Sequence, residues 1–269
     1  MEPPAPTLEP QPATPKPPAA CLAARLLNVF AIPGDVFDEV RLSPPTAANW
    51  LAPVGVLIAA SWAGAWLLFS NPAIQHQVSE MTQKAIEKQI ETAHLPKEQA
   101  EQARQAGEKW GGVGTKITAF TAPVFAGFFT PFFWGLIFWL VGAKALKGNF
   151  AYLKAVEVAG LANIIAALEA LVKTLLILIT GNLFAAPSLM LAVKDFDPEN
   201  TLHSLLAQVN LMTCWLLGVR SIGLARLSGI SFARAAAWVF GIWAAYTGLF
   251  TGFGLAMRAV FGRLSGATT

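Results

Sequence analysis

The chain has 269 residues, of which 55% are apolar and only 13% are charged, and its formal net charge is +3. Soluble domains carry about 25% charged residues, so a soluble protein of this size would lack the charged surface it needs. We therefore expect much of the surface to face lipid. The basic residues form no stripe with interleaved aromatic residues, which excludes nucleic acid as an expected partner.

The N-terminal segment differs in composition from the rest. Residues 1–20 contain eight prolines and no apolar stretch. Such a segment cannot bury enough apolar surface to fold, so we predict a disordered, Pro/Ala-rich tail over 1–20. The membrane domain is predicted over 21–262, followed by a C-terminal tail over 263–269.

Two short amphipathic patterns precede the first strongly apolar stretch, and Pro33 and Gly34 separate them. Phe30 lies on the apolar face of the first pattern, and Phe37 lies on that of the second, beside Asp35. Helices of this kind lie in the headgroup plane with their phenylalanines directed toward the acyl chains. We predict that both helices lie on the membrane. Packing on soluble protein is the alternative, but little soluble protein is present to pack against.

Five apolar stretches predict a polytopic bundle of membrane-spanning α-helices. The first has twenty residues without a charge, which is about 30 Å of helix and matches a hydrocarbon core. Pro123 and Pro131 are expected to kink the second. The five predicted spans are residues 50–69, 117–143, 155–180, 202–219 and 235–257.

A polar insert, residues 70–116, separates the first two predicted spans. Apolar residues recur near helical spacing from Ile74 to Ile90, and a second short helix is predicted over Lys97–Lys109. Together they predict a helical hairpin outside the bilayer. This insert and the N-terminal helices are the surfaces on which we expect protein partners.

The third predicted span carries polar residues that are costly inside a bilayer. Asn163, Glu169 and Lys173 form its candidate polar face, and the last two have the spacing of an ion pair within a helix. The pair has two interpretations. It is either a functional site in the bundle interior or a neutralised pair that fixes the register of the helices. Near the start of the same span, Glu157 is expected to reach the headgroups or to pair with Lys154.

The fifth predicted span carries small residues at three- and four-residue steps. Gly241, Ala245, Gly248 and Gly252 form a groove that allows close approach of another helix. The partner helix belongs either to the same chain, which we favour, or to a second copy in a homo-oligomer.

Positive charges in the short loops set the predicted orientation. They favour an N-terminus in the cytoplasm, although the basic residues of the long insert oppose this. The loop residues are Lys144, Lys147 and Lys154 between the second and third spans, and Arg220, Arg226 and Arg234 around the fourth and fifth.

Enzyme motifs are absent from the sequence. There is no nucleophile elbow, phosphate-binding loop or zinc-protease motif, and no cysteine pair has metal-ligand spacing. We expect no catalytic residues, no cofactor and no metal. The three histidines are expected to be solvated residues in or beside polar segments.

The order of these features resembles that of a known family. The motif Pro-Gly-Asp-x-Phe (Pro33 to Phe37), a proline-bracketed turn, a span beginning at Trp50 and the passage KALKGNFAYLKAVEVAG (144–160) are similar to the YIP family of Ypt/Rab-interacting membrane domains, in its bacterial branch. The resemblance covers residues 22–262 and implies a small polytopic protein without known catalytic residues. Eukaryotic members are associated with vesicle trafficking and GTPase binding. The short N-terminal tail departs from their pattern, which has an extended cytosolic domain.

Two functions remain as hypotheses. The first is a non-enzymatic membrane protein, in the inner membrane of a bacterium, that organises membrane or recruits partners. The second is a small transporter or channel that uses the face of Glu169 and Lys173.

Overall fold

The computed structural model describes residues 21–193 and 200–266 of the chain. The predicted disordered tail, residues 1–20, lies outside the described residues. Within these residues the regular structure is helical, which confirms the predicted all-α fold. The α-helices follow in this order: α1 (Leu22–Ala31), α2 (Pro33–Leu42), α3 (Ala48–Phe69), α4 (Pro72–Ala93), α5 (Lys97–Phe138), α6 (Tyr152–Ala162), α7 (Ile164–Thr180), α8 (Thr201–Gln208), α9 (Leu211–Ser228) and α10 (Phe232–Gly266).

Four segments of the described residues are long and apolar enough to cross a membrane. They are Ala48–Phe69, Lys97–Ala145, Tyr152–Thr180 and Phe232–Gly254. These segments contain most or all of the first, second, third and fifth predicted spans. The 22 residues of α3 make a helix of about 33 Å, which matches the hydrocarbon core of a bilayer. The prediction of a polytopic α-helical membrane protein is confirmed.

The fourth predicted span, residues 202–219, is wrong as a single helix. The chain forms α8, breaks at Val209 and Asn210, and continues as α9. The side chain of Asn210 caps α9 by accepting a 2.8 Å hydrogen bond from the backbone N–H of Met212. An asparagine favours this position because its side-chain oxygen satisfies an N–H that has no partner within the helix.

The third span is also discontinuous, because α6 ends and α7 begins on either side of Asn163. Both pieces run parallel to α3. Close contacts at two glycines establish this direction, since Gly160 lies against Trp50 and Gly64 lies against Thr174. The third span therefore packs along nearly the whole length of α3.

The second span, in α5, runs antiparallel to these helices. Gly127 lies against Val54, and Gly135 lies against Val156. A Cβ atom at Gly135 would be 2.7 Å from Cγ2 of Val156 and 3.0 Å from its Cα, so glycine is required for this approach. Every residue of α6 from Lys154 to Ala162 is buried, which places the core of the protein around this helix.

The polar insert contains a hairpin, but its second helix does not end where we predicted. Asn71 caps α4, and His94 ends it in a left-handed conformation with φ 46°. The helix predicted over Lys97–Lys109 continues without a break through three glycines into the second span. These glycines remain helical, and α5 therefore joins the hairpin rigidly to the bundle.

The N-terminal helices pack on protein, contrary to the predicted orientation of Phe37 toward lipid. This side chain is fully buried, together with Val36 and Val40, where α2 lies against α9. The expectation failed because it treated the helices as lying on lipid alone. In the structure α9 provides an apolar surface, and its Gly223 allows the ring of Phe37 to approach.

The small-residue groove of α10 is open. Gly241, Ala245, Gly248 and Gly252 are exposed, and among the described residues no neighbouring atom lies within 4 Å of a Cβ built at any of the three glycines. The favoured packing within the chain is therefore wrong. α10 contacts the rest of the bundle through another face, on which Ala235 and Val239 are buried.

Candidate functional site

A buried arginine joins the two broken helices. Arg220, on α9, is 5% exposed and donates a 2.7 Å hydrogen bond from Nη2 to Oδ1 of Asn163. Its guanidinium lies 4.3 Å from the ring centroid of Trp134. Nε of Arg220 and Nδ2 of Asn163 are buried without a hydrogen-bond partner. The predicted loop position of Arg220 is therefore wrong. The sequence signal that could have placed it in the core is its position in the middle of the apolar stretch that forms α9.

A second polar contact joins the same two helices. Nδ2 of Asn210 donates a 2.5 Å hydrogen bond to Oε1 of Glu169, so the residue at the break in one span binds the predicted polar face of the other. The predicted ion pair between Glu169 and Lys173 does not form. Glu169 is bound by Asn210 of α9, whereas Lys173, one turn further along α7, lines a cavity and makes no direct contact with Glu169, although its charge still acts on that carboxylate.

An ion pair is buried where the third span begins. Nζ of Lys154 lies 2.6 Å from Oε2 of Glu157, and the two side chains are 9% and 2% exposed. The other oxygen of Glu157 accepts a hydrogen bond from the backbone N–H of Thr46. This network ties the turn before α3 to α6. It also removes Lys154 from the exposed loop charges that we used to predict orientation.

The N-terminal motif is held in place by ion pairs. Nη2 of Arg25, on α1, lies 2.7 Å from Oε1 of Glu39 on α2, and Oδ2 of Asp38 lies 2.8 Å from Nη1 of Arg226 on α9. Beside this second pair, Gly34 lies against the guanidinium of Arg226.

Of the other residues of the motif, Phe30 and Pro33 are half-buried and Asp35 is exposed. The ring of Phe30 contacts Trp215, with centroids 5.8 Å apart. Pro33 begins α2, and Asp35 lies in its first turn, where a negative charge interacts favourably with the helix dipole. Phe37 lies beneath them in the core.

The hairpin of α4 and α5 presents a charged surface. Oε1 and Oε2 of Glu87 accept hydrogen bonds of 2.9 and 3.1 Å from the guanidinium of Arg104. This bond lowers the pKa of Glu87 from its ordinary value. Beside the pair lies a cleft of about 910 Å³ in which acidic and basic side chains alternate. Its charged lining residues are Glu80, Lys84, Glu87, Lys88, Glu91, Arg104 and Glu108.

These contacts form a scaffold. Within residues 21–193 and 200–266, no group of three or more histidine, cysteine or acidic side chains comes together where a metal ion would bind. The buried polar residues and the ion pairs of α2 join helices to one another, while the charged residues of the hairpin face outward. The arrangement is suited to holding two surfaces in fixed positions on a membrane domain.

Comparison with known proteins identifies the family. The sequence model of the Yip1 domain matches residues 27–254, which include α2 to α9, the second half of α1 and most of α10. No curated protein and no solved structure matches the chain. Because the match covers most of the sequence, the chain belongs to the Yip1 domain family.

Proposed function

We propose that this Yip1-domain protein is a non-enzymatic membrane protein that recruits protein partners to a bilayer. The hairpin of α4 and the first turns of α5 is the partner-binding surface in this proposal. The N-terminal helices provide a second surface on the membrane domain. A role in membrane organisation follows from the same arrangement, because a bound partner is held at a fixed distance from the bilayer.

The continuity of α5 is the observation that carries this proposal. A single helix runs from Lys97 to Phe138, through the hairpin and into the second span. Gln77 anchors α4 as well, by donating a 2.5 Å hydrogen bond to the backbone oxygen of Gly181 and accepting one of 3.1 Å from the N–H of Leu183. The hairpin is thus fixed to the membrane bundle, and a fixed surface binds without the entropic cost of ordering a loop.

Site-specific photo-crosslinking tests the recruitment. A photoreactive phenylalanine analogue is placed at Gln83, which is exposed beside the cleft, and in a matched variant at Leu140, which is exposed on the second span. Irradiation of native membranes is expected to give discrete protein adducts from position 83. Position 140 is expected to give lipid adducts.

A further variant tests whether the charges of the cleft select the partner. Lys84→Glu combined with Glu91→Lys reverses two exposed charges without touching the Arg104–Glu87 pair. The adducts at position 83 are expected to disappear, whereas Lys144→Glu elsewhere on the protein leaves them unchanged. Protein adducts of equal intensity in all variants would show that the cleft selects no partner.

We also propose that the N-terminus faces the cytoplasm of a bacterial inner membrane. The support is the exposure of Lys144 and Lys147 in the connection between the second and third spans.

The open groove of α10 suits a second copy of the chain. Cysteine crosslinking tests this: Ala245→Cys, in the same groove, is expected to give a disulfide-linked dimer, and adding Gly248→Leu is expected to abolish it.

A small transporter or channel is the second candidate function. The observation that favours it is the pair of discontinuous helices, since broken helices line the sites of many transporters. The residue at each break bonds to the other span, Asn163 to Arg220 and Asn210 to Glu169. Flux into liposomes, measured with ionophore controls, separates the two functions. Flux that Glu169→Gln abolishes would support transport, and its absence would support recruitment.

A further inference from the structure

A cavity of about 400 Å³ lies between α3, α4, α5 and α7. Its walls are mainly apolar and include Ala65 and Leu68 of α3, Ile74 of α4 and Ile177 of α7. The volume is within the range of sites that hold a small molecule or one hydrocarbon chain, about 300–1,000 Å³. It lies at the end of the bundle where α3 and α7 terminate.

One lysine is the only charge among the described residues that line this cavity. Lys173 belongs to α7 and is exposed, and no acidic side chain is part of the lining. The acid nearest along its helix, Glu169, is bound by Asn210 on α9 and interacts with Lys173 only at longer range, without an ion-pair contact. A cation at the edge of an apolar cavity within a bilayer is costly unless an anion or water reaches it.

Hydrogen bonds fix the walls of the cavity on the side where α3 and α7 end. Gln77 of α4 bonds to the backbone of Gly181 and Leu183, so α4 and the segment after α7 close over the cavity. Leu183 and Phe184 of that segment line it. The cation and the apolar walls therefore lie beside each other in a preformed space.

We propose that this cavity binds one anionic phospholipid of the surrounding membrane. The phosphate lies at Lys173, and an acyl chain lies against the apolar walls of α3 and α7. Charge complementarity selects the occupant. A neutral lipid brings no anion into contact with the ammonium group, and free inorganic phosphate leaves the apolar walls empty.

Native mass spectrometry of the purified protein tests the site. The protein is released from nanodiscs that contain phosphatidylglycerol and phosphatidylcholine in equal amounts. One phosphatidylglycerol per chain is expected to be retained. Lys173→Met is expected to reduce its retention about tenfold, the change that corresponds to the loss of one charge-assisted contact. Lys173→Arg keeps the charge and is expected to retain the lipid.

Two matched variants distinguish this site from general attraction of anionic lipid. Lys144→Met removes an exposed lysine that lies 4.6 Å from the ring centroid of Trp139, away from the cavity, and is expected to have no effect. Ala170→Leu fills the cavity and keeps Lys173, and it is expected to expel the lipid. Circular dichroism confirms that each variant remains folded.

Three results would overturn the proposal. The first is equal retention of both lipids by the native protein. The second is loss of phosphatidylglycerol in Lys144→Met as well as in Lys173→Met. The third is displacement of the lipid by inorganic phosphate alone, which would assign the cavity to a free anion.

Discussion

Oδ1 of Asn163 accepts a 2.7 Å hydrogen bond from Nη2 of Arg220, and this bond joins the break in the third span to α9. Both side chains are buried, and no carboxylate in the part of the chain that the structure describes is bonded to Arg220. A charge in this position depends on its single amide partner and on the ring of Trp134. The contact therefore has more influence on stability than an exposed pair would have.

Asn163→Ala is expected to destabilise the protein by about 3 kcal/mol, because it leaves a buried charge without its hydrogen-bond partner. Arg220→Met in the same chain removes that charge and is expected to restore much of the loss. Thermal unfolding in detergent, followed by circular dichroism, measures both effects. Asn149→Ala, at an exposed position, is the control. A double variant less stable than Asn163→Ala would contradict this account.

Asn210→Ala is expected to cost about 1–3 kcal/mol, because it removes both the cap of α9 and the bond to Glu169. Lys173→Met is expected to have little effect on stability, since Lys173 does not pair with Glu169. The same melting experiment compares them. Equal losses of stability in the two variants would support the ion pair between Glu169 and Lys173 that the sequence predicts.

Gly135 and Gly55 provide a matched comparison within the first two spans. Gly135→Ala forces an added methyl group against the backbone of Val156, and overpacking of this kind costs about 1–3 kcal/mol. At Gly55 no atom of residues 21–193 and 200–266 lies within 4 Å of an added Cβ, so Gly55→Ala is expected to be neutral or stabilising. Unfolding temperatures that fall equally in both variants would argue against the close packing of α5 on α6.

Acid is expected to loosen the hairpin. The hydrogen bond from Arg104 lowers the pKa of Glu87, so its stabilising contribution is present above the ordinary pKa of glutamate and is lost as pH falls through the lowered value. Hydrogen exchange of the amides of α4 at about pH 6 and about pH 3 measures this loss. In Arg104→Met the increase in exchange between the two pH values is expected to be smaller, because the ion pair is already absent at both. An identical pH response in both proteins would show that the pair contributes nothing.

The sequence predicts the membrane-spanning helices well because their signal is composition over about twenty residues. It predicts the break at Pro33 for a similar reason, since proline fixes the start of a helix. The sequence also predicts the first helix of the hairpin, α4, from its apolar spacing. The predicted end of its second helix, at Lys109, is wrong, because glycines in a helix that is supported by packing do not need to form a turn.

Partners distant in the chain decide the features that the sequence did not predict. Glu169 has Lys173 four residues away, yet Asn210 binds it, and no local spacing reveals that choice. Arg220 resembles a loop charge until Asn163 and Trp134 are brought to it. The groove of α10 indicated a close neighbour, but spacing along one helix does not tell which face meets the bundle.

Cysteine accessibility tests the central claim, that α3 crosses the bilayer and separates the N-terminal helices from the hairpin. Cys21 and Cys214 are replaced by serine, and single cysteines are placed at Leu42, the exposed end of α2, and at Gln83 on the hairpin. In intact cells a membrane-impermeant maleimide is expected to label Gln83→Cys alone, and Leu42→Cys only after permeabilisation. Labelling of both positions from the same side would contradict the account.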